Sequence, residues 1–182
     1  MNPRSALLIV DVQKGFDHPS WGRRNNPSAE ENISALLARW REAEFPVFHV
    51  RHISTEPGSP LKDAGAEFKA VVDPHAGETV IEKSGNSAFI GTDLEARLRE
   101  SDIGSLVVVG LTTDHCVSTT VRMAANLGFN VRLASDATAT FERTGPDGEH
   151  HTAEAVHKMA LVHLHEEFAG ILTTQQILED FN

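Results

Sequence analysis

The sequence predicts an α/β protein: a three-layer α/β/α fold around a six-stranded, mainly parallel sheet. Two observations predict it. Short, continuous apolar runs recur along the chain, and helical patterns with usable caps lie between them. Runs apolar on every residue fit strands buried on both faces of a parallel sheet. Strands alternating with helices imply layered packing with right-handed crossovers. For a doubly wound sheet the expected strand order is 3-2-1-4-5-6.

The elements follow in order. Ala6–Val10 is the first strand. Ser28 stands three residues before Glu31, a capping-box pattern, and opens a helix with Ile33, Leu36, Leu37 and Trp40 on one face. That helix must end before Pro46, where Pro46–Val50 forms the second strand. Thr79–Glu82 is the third. Thr92 with Glu95 repeats the capping box and opens a helix with Leu94 and Leu98 inward. Leu106–Val109 is the fourth strand. A third helix runs from about His115 to Leu127, and Gly128 suits its C′ position. Asn130–Leu133 is the fifth strand, 154–165 a fourth helix, and Phe168–Leu172 a sixth strand. Thr173 with Gln176 caps a short terminal helix. Two stretches break the alternation: 16–27, with Trp21 and two prolines, and 54–77, rich in Gly, Pro and charge. Long excursions of this kind are often functional, and otherwise are surface loops.

Bulk properties narrow the function. The 182 residues contain no linker-like stretch, so 1–182 is read as a single domain. The formal net charge is −10 and the basic residues are scattered, which argues against nucleic acid and anionic membranes as partners. The first apolar run ends at Asp11, too short for a signal h-region or a membrane span. The single cysteine excludes an internal disulfide and a cysteine-rich zinc site. A cytoplasmic location, where a thiol stays reduced, is the expectation.

Ligands of open parallel sheets bind beyond the carboxyl ends of the strands. Just past the first strand lies Asp11, past the third Lys83, and past the fourth the segment Gly110-Leu-Thr-Thr-Asp-His-Cys116. Taken singly, such an Asp is usually a turn residue, the Lys a solvated charge and the Cys a small hydrophobe. Together they place a carboxylate, an amine and a thiol on one edge. Cys116 falls in a first helical turn with Asp114 as N-cap, so the helix N-terminus and Lys83 are expected to lower its pKa.

Three pieces, Leu8-Ile-Val-Asp-Val-Gln13, Glu82-Lys-Ser-Gly-Asn-Ser-Ala-Phe89 and Gly110-Leu-Thr-Thr-Asp-His-Cys-Val117, resemble the isochorismatase-like cysteine hydrolases. This group includes nicotinamidases and N-carbamoylsarcosine amidohydrolase. The resemblance implies a triad of Asp11, Lys83 and Cys116, with Cys116 attacking an amide-like carbonyl. It implies a cis peptide between Leu111 and Thr112, and an oxyanion hole from the backbone N–H groups of Thr112 and Cys116. It also implies a homodimer or homotetramer acting on a small molecule.

Metal-dependent nicotinamidases carry an Asp and His pair after the second strand. Here the segment is His49-Val-Arg-His52, without Asp and without i, i+2 spacing. No metal or other cofactor is therefore expected. His150, His151, His157, His163 and His165 fall on several helix faces, as solvated or partner-facing residues would. Gln13, Phe16, Trp21, Phe89, His115 and Phe141 flank the motifs and are candidate pocket walls. The expected reaction is hydrolysis of a C–N bond in a small amide, carbamoyl or ureido compound. Two other readings stand beside it: a catalytically silent member serving as a binding or assembly module, and a thiol redox sensor, which would want a resolving cysteine. One geometric question is open. Strand 3 lies two spacings, roughly 9–10 Å, from strand 1, whereas a lysine side chain reaches about 6 Å.

Overall fold

A computed structural model describes residues 5–181. The N-terminal residues Met1, Asn2, Pro3 and Arg4 lie outside the described residues, as does Asn182. The sheet strands are β1 (Ser5–Val10), β2 (Val47–His52), β3 (Thr79–Lys83), β4 (Ser105–Leu111) and β5 (Asn130–Ala139). A hairpin of β6 (Arg143–Thr144) and β7 (His150–His151) follows, and β8 (Gly170–Leu172) returns to the sheet. The order is β3-β2-β1-β4-β5-β8, with every neighbouring pair parallel. The expected doubly wound sheet is therefore present, with β8 as its sixth strand.

The helices are α1 (Ala29–Glu42), α2 (Leu94–Glu100), α3 (Ser118–Asn126), α4 (Ala153–Leu164) and α5 (Thr174–Glu179). They cover both faces because β1 is apolar from Ala6 to Val10. Ala6, Leu8 and Val10 join a core with Leu94 and Leu98 of α2, Val121 and Ala124 of α3, and Leu164 of α4. Leu7 and Ile9 point the other way, onto Ile33, Leu36, Leu37 and Trp40 of α1 and Ile177 of α5. The period of two in a strand splits one run between two cores.

The caps differ from expectation in two of three cases. Ser28 and Asp93 precede α1 and α2 with ψ near 13° and 15°, and neither side chain caps its helix. An N-cap acceptor normally needs an extended backbone. Thr92 instead donates its hydroxyl to Ala88 O at 2.6 Å. Thr173, with ψ 161°, does form the full capping box with Gln176.

Both irregular stretches are built into the fold. Residues 14–17 and 19–21 form single 3-10 turns. From the second stretch, Leu61, Phe68 and Val72 are buried in the α1 core. Its backbone is tied to the end of β1 by Lys69 N to Val12 O (3.0 Å) and Lys14 N to Glu67 O (2.9 Å). The docking needs a bare backbone: a Cβ on Gly65 would lie 1.9 Å from Pro60 O.

Candidate active site

The carboxyl ends of β1, β3 and β4 converge on one point. Asp11, the first residue past β1, adopts φ 51° and donates its N–H to Val50 O at 2.9 Å. A left-handed conformation at a non-glycine residue is often found at functional sites. Gly110 lets the neighbouring strand end approach. It sits at φ 121°, and a Cβ there would meet Val10 O at 1.9 Å.

Lys83 closes the gap that spacing alone left open. It lies in register with His52, two residues beyond the Val10–Val50–Ile81 row, and alternation puts it on the same face as Ile81. From there it leans over the end of β2. Its Nζ lies 2.6 Å from Asp11 Oδ2, 3.1 Å from Gly85 O, 3.3 Å from His52 Nδ1 and 3.4 Å from Cys116 Sγ. The side chains of Lys83 and Asp11 are both wholly excluded from solvent. The other Asp11 oxygen, Oδ1, is buried with no hydrogen-bond partner. Ligating atoms of Asp11, His52 and Cys116 lie within 4.8 Å of one another.

The peptide between Leu111 and Thr112 is cis. Cys116 is not in the first turn of an α-helix. Thr113–Val117 forms a π-turn, and α3 begins only at Ser118. Single π-turns of this kind recur at functional sites. Asp114 is not the N-cap either, because its carboxylate is engaged from the other side. It accepts the Thr140 hydroxyl and, at 3.1 Å, Arg143 Nε. Thr113 Oγ1 pairs with His157 Nδ1 at 2.9 Å, so α4 also braces the turn.

The electrostatics correct the expected thiolate. Burial, and then the Asp11 charge, push the Cys116 thiol up to about 12, against the opposing pull of Lys83. Burial also raises the Asp11 pKa, while Lys83 works to lower it. Burial thus favours the protonated thiol and makes Asp11 a better proton acceptor than an ordinary aspartate. Desolvation outweighs the one positive charge. Burial and the Lys83 charge lower the pKa of His52.

A cavity of about 410 Å³ opens over Cys116. Phe16, Trp21, Thr112 and His115 line it, as sequence reading suggested. His52, Glu56 and Asn86 also line it and were not assigned there. Asn86 sits in the second motif, and His52 had been weighed only as a metal ligand. Phe141 stacks behind Trp21, at 5.5 Å between ring centroids. Two candidates lie elsewhere. Gln13 is fully buried, its amide nitrogen donating to His52 O (2.9 Å) and Ala66 O (3.0 Å) and its oxygen accepting from His52 N. It clamps the second loop to β2. Phe89 packs on Phe129 in the core, at 5.9 Å. A metal on Asp11, His52 and Cys116 would compete with Lys83, whose nitrogen already contacts all three. A larger depression of about 560 Å³ beside α4, lined by Arg143, Met159 and His163 among others, does not include the thiol. Among the described residues no helix is long and apolar enough to cross a membrane.

Comparison with known proteins gives a consistent result. The family model described as Isochorismatase domain matches residues 5–176. The chain is 48% identical over 183 residues to an isochorismatase family protein, YrdC, of Bacillus subtilis, covering all of this chain and 98% of that protein. It is 27% identical over 188 residues to nicotinamidase 3 of Arabidopsis thaliana, covering 95% of this chain and 86% of that protein. A crystal structure of an isochorismatase-family protein from Chromobacterium violaceum superposes with a TM-score of 0.95 at 45% identity, covering 98% and 93% of the two chains.

Proposed function

The chain belongs to the isochorismatase family, and from that premise we propose that it is a cysteine-dependent hydrolase cleaving a C–N bond of a small amide, carbamoyl or ureido substrate. The observation that carries the reading is the shared contact of Lys83 Nζ with Asp11 Oδ2 and Cys116 Sγ. An amine bridging a carboxylate and a thiol fixes a base beside a nucleophile. That a related protein is named a nicotinamidase supports an amide substrate.

The steps follow from the protonation states. Asp11 takes the thiol proton as Sγ forms a bond to the carbonyl carbon. Lys83 holds both partners while charge moves between them. The N–H groups of Thr112 and Cys116 receive the developing oxyanion, a contribution of about 3–4 kcal/mol per donor in other hydrolases. Asp11 then passes the proton to the departing nitrogen as the C–N bond breaks. This leaves a thioester and a free amine. Water enters, gives a proton to Asp11 and attacks the thioester carbon. The S–C bond breaks, the acid is released, and the thiol regains its proton. Amide nitrogen is a poor leaving group, so a thiol without an adjacent proton donor would stall at the first addition.

The test is a panel of small amides, carbamoyl compounds and ureides scored by ammonia or amine release. At least one member is expected to turn over with wild type and none with Cys116→Ala. Turnover that survives in Cys116→Ala overturns the reading.

A further inference from the structure

The cavity over Cys116 has a one-sided charge. Arg and Lys side chains do not line it among the described residues. The nearest amine, Lys83, lies beneath the floor and is already occupied by Asp11, His52, Gly85 O and Cys116. The carboxylate in the lining is Glu56, beside the imidazoles of His52 and His115. Its place is fixed by a closed turn. Ser54 N donates to Leu61 O at 3.1 Å, Glu56 N to Ser54 Oγ at 3.2 Å, and Ser59 N to Glu56 O at 3.4 Å. The loop that covers the site therefore holds Glu56 at the cavity, where its charge acts on His52.

A second feature of the cavity points the same way. Phe16 and Trp21 line it with ring centroids 5.1 Å apart, and Phe141 backs them both, at 6.1 and 5.5 Å. Trp21 Nε1 donates to Gly15 O at 2.9 Å, which locks the indole in place. A rigid aromatic wall with a carboxylate in the same cavity attracts a cation through the ring quadrupole and by direct charge. The chain's net charge of −10 adds a field of the same sign.

Resting on the hydrolase reading above, we propose that the site selects amides or ureides bearing a cationic substituent, of the ammonium or guanidinium class, held between Glu56 and the Phe16–Trp21 wall. An anionic substituent meets no Arg or Lys side chain there, and the lining imidazoles of His115 and His52 are already engaged by Asp114 and Lys83. The specificity-determining residue is Glu56, which lies outside the triad.

The test does not require the natural substrate. Cys116 is alkylated with three probes of one chemistry and different charge: iodoacetate, iodoacetamide and an iodoacetamide carrying a quaternary ammonium group. In each case the S–C bond forms, iodide leaves and the thiol proton passes to Asp11 and then to solvent. Rates are divided by those of free cysteine with the same probe. The expected order is cationic, then neutral, then anionic, with steps of about fivefold. Glu56→Gln should reduce the cationic-to-neutral ratio by about the same factor. Because Glu56 is exposed, the variant is expected to fold. An order in which iodoacetate leads, or a ratio unmoved in Glu56→Gln, overturns the proposal. These rates report the charge of the cavity whether or not an amide is hydrolysed. They therefore fail independently of the ammonia-release assay.

Discussion

Lys83 Nζ donates to Asp11 Oδ2 at 2.6 Å, with both side chains sealed from solvent. Breaking a buried pair by removing one partner strands the other charge, which typically costs about 3–5 kcal/mol. Lys83→Met is therefore expected to lower the thermal midpoint sharply. Adding Asp11→Asn should restore much of that loss while leaving the protein inactive. Calorimetry of Lys83→Met, Asp11→Asn and the double variant checks this. A single variant as stable as wild type would show that the pair is not a mutual dependence.

The Asp11 charge also holds the thiol up. Asp11→Asn is expected to lower the Cys116 pKa from its resting value of about 12, since Lys83 then faces the thiolate alone. Alkylation by iodoacetamide between about pH 7 and 10 should accelerate in the variant even as turnover is lost. A variant slower to alkylate would mean that the loss of Asp11 as proton acceptor outweighs the fall in the thiol pKa.

Three histidines set a pH limit on stability. Burial lowers the pKa of His49, His52 and His157 from the ordinary 6.5. Below that value the unfolded chain binds protons that the folded chain refuses. Stability is thus fully present above pH 6.5 and falls as pH drops through and below it. Glu30 and Glu78, each held near a pKa of about 2 by partners that outweigh their burial, extend the loss from 4.5 downward. Asp11, with its raised pKa, works in the opposite direction at acidic pH. Denaturation midpoints against pH should be flat in the neutral range and decline on the acid side. His157→Gln, which cannot take up a proton, should shallow the decline.

Gly110 permits the meeting of the β1 and β4 ends. A methyl at that position would lie 1.9 Å from Val10 O, at a φ of 121° that side chains rarely adopt. Gly110→Ala is expected to cost several kcal/mol, as both clash and conformation oppose it, roughly the upper range for single substitutions. Circular dichroism melts measure the loss, and a melt within a few degrees of wild type would refute the close approach.

The fold was legible because β1 and β4 carry long apolar runs, Ala6–Val10 and Leu106–Val109, and α1 shows one apolar face. What escaped reading follows from contacts between distant residues. β5 runs on past Leu133 into Ala134–Ala139, where Asp136 breaks the apolar pattern. That carboxylate is satisfied by Thr174 N and its hydroxyl at 2.7 and 2.8 Å, which nothing local announces. The β6–β7 hairpin did carry a signal, the turn-forming Pro146-Asp147-Gly148. At the site, residue types and order brought forward Asp11, Lys83 and Cys116. The protonation state of Cys116 was misread, because a helix terminus is visible in sequence whereas desolvation is not. Gln13 likewise looked like a ligand contact and is a clamp, its partners 39 and 53 residues away.

The central claim is that Cys116 carries the acyl group. The most direct measurement is the intact mass of the protein, acid-quenched during turnover of the most active amide in the panel, followed by peptide mapping. The account predicts an adduct equal to the substrate less its amine, located on the peptide containing Cys116 and absent from Cys116→Ala. Turnover in wild type together with an unmodified Cys116 at every quench time, and persisting in Cys116→Ala, would contradict it.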